Sequence, residues 1–353
     1  MRPPTIRPLL VALLLSLPCC AERSPLVTDG GEADGRPDTS RPDIGELGGP
    51  QGFGDAERPR IDVPSGDAGA DPGPELPTGP APPVTVATWN LRDFSPYGAQ
   101  ESRLDHIAQQ LAALDADIIG VQELEAREGS DGSPPQAWDA LLDRLPAYEG
   151  VHAPWNLQDS VVGLLVRRDT VRVLAAKPIF VGDWWPFPRA PLDATLSVEK
   201  PEGTVLLHVV VIHLKAFGDS ESLSRRREAC TKLAGALGGR GDARYVLVGD
   251  FNDSPHDPAP ESAFAGTLLG VEPVWTFVTA ALPPTTVSST GGSHEVDGQV
   301  IEGGLLDQIV VDETVTDLYP APVAEVIARP VAEYDAWRAG WSDHFPVILH
   351  LTP

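Results

Sequence analysis

Cysteine is nearly missing from this sequence. Three occur in 353 residues, and two of them, Cys19 and Cys20, are adjacent near the start. That leaves Cys230 alone in the body of the chain, which excludes a disulfide framework and a cysteine zinc site. Cys230, Leu233 and Leu237 fall at helical spacing, so this thiol is expected to pack rather than react. Positive charge is scarce too: 26 Lys and Arg face 51 Asp and Glu, a formal net charge of −25. A broad basic surface that grips nucleic acid by charge alone is therefore not expected. Long apolar runs are also lacking beyond the N-terminus, and no segment approaches the roughly 20 apolar residues of a spanning helix.

What is present begins with an apolar N-terminus. Arg2 and Arg7 lead into LLVALLLSLP, and LPCCA follows with small residues. Residues 1–21 therefore read as an export signal, with a core of roughly the 7–15 apolar residues such signals use. The start resembles a bacterial lipoprotein signal, which would place a lipid on Cys19 or Cys20 and make that lipid the only membrane contact. Plain secretion is the alternative. Residues 22–83 are rich in Gly, Pro, Asp and Glu, with few large apolar side chains. Such a segment cannot bury enough surface to offset its ordering entropy, so a disordered acidic linker is expected. The folded domain is expected over 84–353.

That domain carries many short apolar runs. VTVATWN, DIIGVQE, VVGLLVRR, TVLLHVVVIHLK, RYVLVGD, LLDQIVVD and FPVILHL read as strands. Leu104, Ile107, Leu111 and Leu114 mark one helix. SLSRRREACTKLAGALGG marks another, closed by Gly238 and Gly239. Many strands with few helices predict an α/β protein of two packed sheets with helices outside.

The strand ends are informative. Asn90 ends the first run, Gln122 and Glu123 the second, His213 the long valine run, and Asp250 and Asn252 the run YVLVGDFN. Asp307 lies in LLDQIVV, and Ser342, Asp343 and His344 precede the last strand. Polar strand ends are ordinary one at a time. Six that end in carboxylate, carboxamide or imidazole are hard to assign to solvation. Oxygen ligands without thiols point to Mg²⁺ or Mn²⁺. Such an ion would let an acidic protein hold a phosphate it otherwise repels. Imidazoles beside it suit proton transfer near neutral pH. Together they suit hydrolysis of a phosphate ester by water.

The motifs TWNLRDF, VQELE, RAPLDATL, HLKAF, GDFND, LLDQIVV and WSDHFPV, in this order, resemble the endonuclease/exonuclease/phosphatase superfamily over about Val84 to Leu351. The resemblance implies a DNase I-like four-layered α/β sandwich and a metal-dependent phosphoesterase. Members include DNase I, abasic-site endonucleases, inositol polyphosphate phosphatases and bacterial sphingomyelinases. It implies that Asn90, Glu123 and Asp343 bind or orient the metal. It also implies that Asp250 and Asn252 position water and the scissile phosphate, and that His344, oriented by Asp307, handles the proton. His213 stands where the DNase I-like branch carries a second catalytic histidine. The partner acid of that histidine has only Asp159 nearby, one residue out of register. Arg92, in N-x-R-x-F, and Arg189, in RAPL, resemble phosphate-contacting arginines of that branch.

Lys215 and one of Arg225, Arg226 or Arg227 are further phosphate candidates, with a solvated first helical turn as the alternative for the arginines. Trp184 and Trp185 either face a substrate or pack beneath a Pro-rich loop. His256 and His294 are expected to be surface histidines in loops. From Val84 onward 38 acids face 19 bases, which disfavours tight charge-driven DNA binding. An exported, monomeric nuclease acting on DNA or RNA is the leading expectation. A phosphodiesterase or phosphatase for small or lipid esters is the second, and a catalytically dead binding module is the third.

Overall fold

A computed structural model describes residues 79–94, 101–125, 137–154, 160–238, 243–271 and 274–353. The expected signal segment, nearly all of the expected linker, Asp159 and Gly239 lie outside the described residues. In chain order the strands are β1 (Val84–Phe94), β2 (Ile118–Glu125), β3 (Tyr148–His152), β4 (Ser160–Arg167), β5 (Val171–Pro178), β6 (Leu192–Lys200) and β7 (Gly203–His213). They continue as β8 (Tyr245–Asp250), β9 (Trp275–Phe277), β10 (Ser289–Val296), β11 (Gln299–Gly304), β12 (Asp307–Asp312), β13 (Val323–Val326) and β14 (Val347–Leu351). The helices are α1 (Glu101–Leu114), α2 (Ala137–Arg144), α3 (Ser220–Leu237), α4 (Glu313–Leu318) and α5 (Tyr334–Gly340).

Two six-stranded sheets form, ordered β13-β14-β1-β2-β4-β3 and β5-β6-β7-β8-β12-β9, with β10-β11 as a separate hairpin. Both sheets are mixed. β1 runs parallel to β2 and β7 parallel to β8, while the remaining pairs are antiparallel. β2 packs on β7 and β8, so the sheets face each other. Gly120 marks a close approach, because a Cβ there would sit 2.7 Å from Val248 Cγ2. The α/β sandwich expected from the sequence is the one observed.

The period of two within each strand decides which side chains enter the space between the sheets. Val209 and Val211 of β7, Val246 and Val248 of β8, and Ile309 and Val311 of β12 join the inter-sheet core. Val210, Ile212, Leu247 and Val310 turn the other way and pack against Ala229, Cys230, Leu233 and Leu237 of α3. Cys230 is thus a buried packing thiol, and burial pushes its pKa up. Continued by one step, the inward parity selects His213, Asp250 and Asp307. Register completes the row: His213 and Asp307 each lie opposite Asp250.

Two loop assignments differ. His294 belongs to strand β10, and its ring nitrogens lie 2.8 Å from the Gly303 carbonyl and 2.9 Å from that of Pro284. It braces the hairpin rather than standing free. His256 is half-buried in the turns after β8, with Nε2 buried and without a partner among the described residues.

Gly249 carries φ 146°, and a Cβ on it would lie 1.9 Å from the Ile212 carbonyl oxygen. Gly249→Ala should therefore force β8 away from β7 and cost more than about 3 kcal/mol. Gly235→Ala, on the open face of α3, should instead add roughly 0.5–1 kcal/mol. Urea unfolding of both variants would check the contrast.

Candidate active site

The site is built from the mouths of both sheets. β1 and β2 carry Asn90 and Glu123 near the end of their pairing, where the β1–β2 register shifts after Asn90. β7, β8 and β12 supply His213, Asp250 and Asp307, and the turn before β14 supplies Asp343 and His344. Asn90 is fully buried at the centre. Its amide nitrogen donates to Glu123 Oε1 at 2.9 Å and to Asp250 Oδ2 at 3.0 Å. Its oxygen accepts the Arg92 backbone N–H at 2.9 Å. Asn90 therefore presents a donor to two carboxylates and orients them. Glu123 Oε2 accepts the Asp93 N–H at 2.8 Å, and Glu123 itself sits at φ 60°. A non-glycine residue in that region costs about 1–3 kcal/mol, and such strain gathers at functional positions.

On the other sheet, Asp250 Oδ1 caps the Asn252 N–H at 2.9 Å. Asn252 lies at φ 53° and donates to the Leu214 carbonyl at 3.2 Å. His344 Nδ1 lies 2.7 Å from Asp307 Oδ2, while Nε2 points toward Asp250 Oδ2 at 3.8 Å. His213 Nε2 stands 3.6 Å from the same Asp250 oxygen and 3.9 Å from Glu123 Oε1. Its Nδ1 is buried with no partner among the described residues, and the acid considered for it, Asp159, lies outside them.

Burial separates the behaviour of these groups. It opposes charge on His344, but Asp307 and Asp250 outweigh it and raise the imidazole to about 10. Burial raises Asp250 to about 7, against the attraction of His344 and with the repulsion of Asp307. Burial, then Arg189 and His344, push His213 well below its ordinary range. The pocket therefore holds a charged imidazole, a neutral one, and a carboxyl that titrates near neutrality. Titrating groups pushed apart in this way suit acid–base work.

The loop carrying His344 is fastened from several sides. Its carbonyl accepts the indole N–H groups of Trp89 at 3.0 Å and Trp337 at 2.8 Å. Ser342 Oγ donates to the Asn90 carbonyl at 2.7 Å and accepts the His344 N–H at 3.1 Å. Ser288 Oγ accepts the N–H of Asp307 at 2.9 Å and so fixes the other half of the pair. Trp89, Trp337 and Ser288 were not singled out from the sequence. Two are tryptophans in apolar surroundings and one is a loop serine, and no spacing rule marks them. Gln122 turns away and bonds Thr88 at 3.0 Å.

The donor set fits a hard divalent ion. Glu123, Asp250, Asp307 and Asp343 supply carboxylate oxygens, and Asp307 Oδ1 is buried with no partner. Asp93 is held above the usual carboxylate range, first by burial and then by Glu123 and Glu125, so the mouth is crowded with negative charge. Asp250, Asp307 and His344 form a cluster whose ligand atoms lie within 4.8 Å of one another.

The arginines diverge. Arg92 stands at the rim, 3.8 Å from Asp343 and bonded to the Arg338 carbonyl at 3.0 Å. Arg189 is half-buried, and its guanidinium makes no hydrogen bond or ion pair among the described residues. Arg226 is neither a free phosphate contact nor a solvated residue. It is buried, bonds Asp253 at 2.8 Å, and holds the Lys215 and Phe217 carbonyls at 2.9 and 2.7 Å. Arg227 donates to the Ser262 carbonyl at 3.2 Å.

Raising a histidine's pKa on folding adds stability below its unfolded value of about 6.5, and that stability disappears as pH rises through the folded value. For His344 the loss should extend from near neutrality to about 10. In metal-free protein between pH 7 and 9, unfolding free energy should fall by up to about 1.4 kcal/mol per pH unit from this group. Asp307→Asn should flatten that slope in denaturant titrations at each pH.

The sequence model of the Endonuclease/Exonuclease/phosphatase family matches residues 87–344. No curated protein matches the chain by sequence. Among solved structures, an endonuclease/exonuclease/phosphatase from Bacteroides vulgatus is similar with TM-score 0.54 and 19% identity, over 77% of this chain and 99% of that one. D. rerio TDP2 complexed with single strand DNA product gives 0.52 and 14%, over 77% and 99%. The human Nocturnin catalytic domain with bound sulfate anion gives 0.50 and 15%, over 78% and 96%. At these identities the likeness is one of fold.

Proposed function

This chain belongs to the endonuclease/exonuclease/phosphatase family, and from that premise we propose that it is an exported, divalent-metal-dependent phosphodiesterase that hydrolyses DNA or RNA. The observation that carries the chemistry is the buried His344–Asp307 pair at 2.7 Å, facing Asp250 across 3.8 Å. A water beside Asp250 attacks phosphorus and gives its proton to that carboxylate, whose pKa near neutrality suits the task. His344, kept protonated by Asp307 and Asp250, donates Nε2–H to the phosphoryl group and then a proton to the leaving oxygen as the P–O bond breaks. His213, held neutral and 3.6 Å from Asp250, lines the pocket without competing with that carboxylate for the proton. Asn90 orients Glu123 and Asp250, Asn252 lies beside the attacking water, and Arg92 and Arg189 approach the phosphate from the rim.

An ion would be held by Glu123 and Asp343, whose carboxylates both act on Asp93 at the mouth of the site. When bound, Mg²⁺ or Mn²⁺ would neutralise phosphate charge and lower the cost of bringing an anion into an acidic pocket. The apolar stretch after Arg7 supports export, with cleavage near residue 21 or lipidation at Cys19 or Cys20. Intact-mass analysis of the cell-associated protein tests this, and an unprocessed N-terminus in the cytoplasm would overturn it.

The full-length protein should nick plasmid or degrade RNA with Mg²⁺ or Mn²⁺, and EDTA should stop it. His344→Ala should lower the rate by about 10²–10⁴ while the fold persists. Glu123→Gln should raise the metal concentration required by about 10–100-fold. Cleavage of sphingomyelin or small esters alone would replace the nuclease reading with the second one. Near-normal turnover by His344→Ala would sink the proton-transfer assignment.

A further inference from the structure

Beside His213 the chain leaves the sheet and, with a second loop, brings exposed aromatic rings and cations together. Residues 214–219 hold Lys215 and Phe217, and residues 179–190 hold Trp184, Trp185 and Arg189. Phe217 is 73% exposed, Trp184 54% and Trp185 47%. Apolar rings of this size are normally covered, and three together form an exposed patch that needs a reason.

Looseness is not the reason, because both loops are pinned to α3. Arg225 donates to the carbonyls of Trp184 and Trp185 and lies 5.1 Å over the Trp185 ring. The next residue, Arg226, bonds the carbonyls of Lys215 and Phe217. Nearly two helical turns on, Lys232 holds Asp183 at 2.6 Å. Phe180 stacks on buried Phe187 at 4.4 Å and closes the base of the tryptophan loop. Phe217 is also held at φ 80°, which for a bulky residue is a costly conformation maintained by its surroundings.

Cations alternate with the rings. Lys215 Nζ lies 4.4 Å over the Phe217 ring. Arg189 and Arg225 are both close enough to depress the Lys215 ammonium, after burial, and Arg189 also acts on His213. Lys215 and Phe217 follow His213 closely in the chain, and Arg225 ties Trp184 and Trp185 to α3 one residue before Arg226 holds the Lys215 and Phe217 carbonyls. We propose that this platform binds the single strand on one side of the scissile phosphate, stacking its bases on Trp184, Trp185 and Phe217 while Arg189, Lys215 and Arg225 meet its phosphates. It rests on the phosphodiesterase reading above and names the substrate form.

Three features favour a single strand over other occupants. Unpaired bases offer open faces to exposed rings, and stacking is tolerant of sequence. A duplex keeps its bases stacked inside. A bilayer would have to take the rings without the charges lying across Phe217 and Trp185.

The test is equilibrium binding by the full-length protein in EDTA, so that no turnover occurs. The probes are a fluorescein-labelled 12-mer of thymidylate, the same strand annealed to its complement, and phosphatidylcholine/phosphatidylglycerol vesicles. The single strand should bind tightest and quench tryptophan fluorescence. Trp184→Ala with Trp185→Ala, and separately Phe217→Ala, should each weaken it about tenfold or more. Unchanged affinity in both variants, equal or better binding of the duplex, or loss of vesicle binding instead would each overturn the proposal. Wild-type hydrolysis of bis-(p-nitrophenyl) phosphate with Mg²⁺ separates the two failures. If that ester is cleaved but the strand is not bound, the platform is wrong and the phosphodiesterase stands. If the ester is untouched, the catalytic reading itself has failed.

Discussion

One buried ion pair governs the pocket: His344 against Asp307 at 2.7 Å. Register sets Asp307 directly beside Asp250. Two desolvated carboxylates so placed cannot both stay ionised without a cation between them. The imidazolium is that cation. The same contact fixes the ring, because Nδ1 is committed to Asp307 and Nε2 is left to face Asp250. Charge balance and aim therefore come from one hydrogen bond. The surrounding clamps make sense in this light. Two indoles, Ser342 and Ser288 all serve to hold the two halves of the pair where they meet.

The acidity of the protein then becomes part of how it works. A pocket rich in carboxylates repels a phosphate when no divalent ion is present, so on the proposed reading entry of the scissile phosphate into that pocket, and not contact of the flanking strand with the outer loops, is what metal controls. The few cations that do approach are not interchangeable. Arg225 and Arg226 are consecutive on α3 yet meet different fates. One crosses an exposed tryptophan. The other disappears into a buried bond with Asp253, which burial holds near 6 despite that arginine. Helical rotation of 100° per residue separates them, and with it surface from interior.

Much of the site is legible in the sequence. Strand-end carboxylates and imidazoles announced themselves because a buried strand leaves few positions where such groups can sit. Inward parity in VVVIH, VLVGD and DQIVV already aligns His213, Asp250 and Asp307 with the inter-sheet face. Other features were not legible. SRRRE gave no sign of which arginine would be buried, since charge at a helix start is ordinarily solvated. STGGSHEV looked like a loop, yet it pairs as β10 with β11, because its glycines obscure the alternation that marks a strand. Trp337 and Ser288 matter through hydrogen bonds to residues far along the chain, and local sequence carries no trace of a distant partner.

By itself, the chain's order of residues determined the two-sheet α/β architecture, the near absence of cysteine chemistry, the acidic charge, and the types of group available for catalysis. All of these follow from local periodicity and composition. Tertiary structure alone decided that Asn90 presents its amide N–H to two carboxylates, that one histidine is charged while its neighbour is neutral, and that three rings stand exposed beside the reacting centre. Those outcomes depend on distances between strands and on desolvation. Both are properties of the packed interior, and neither exists until the two sheets have closed on each other.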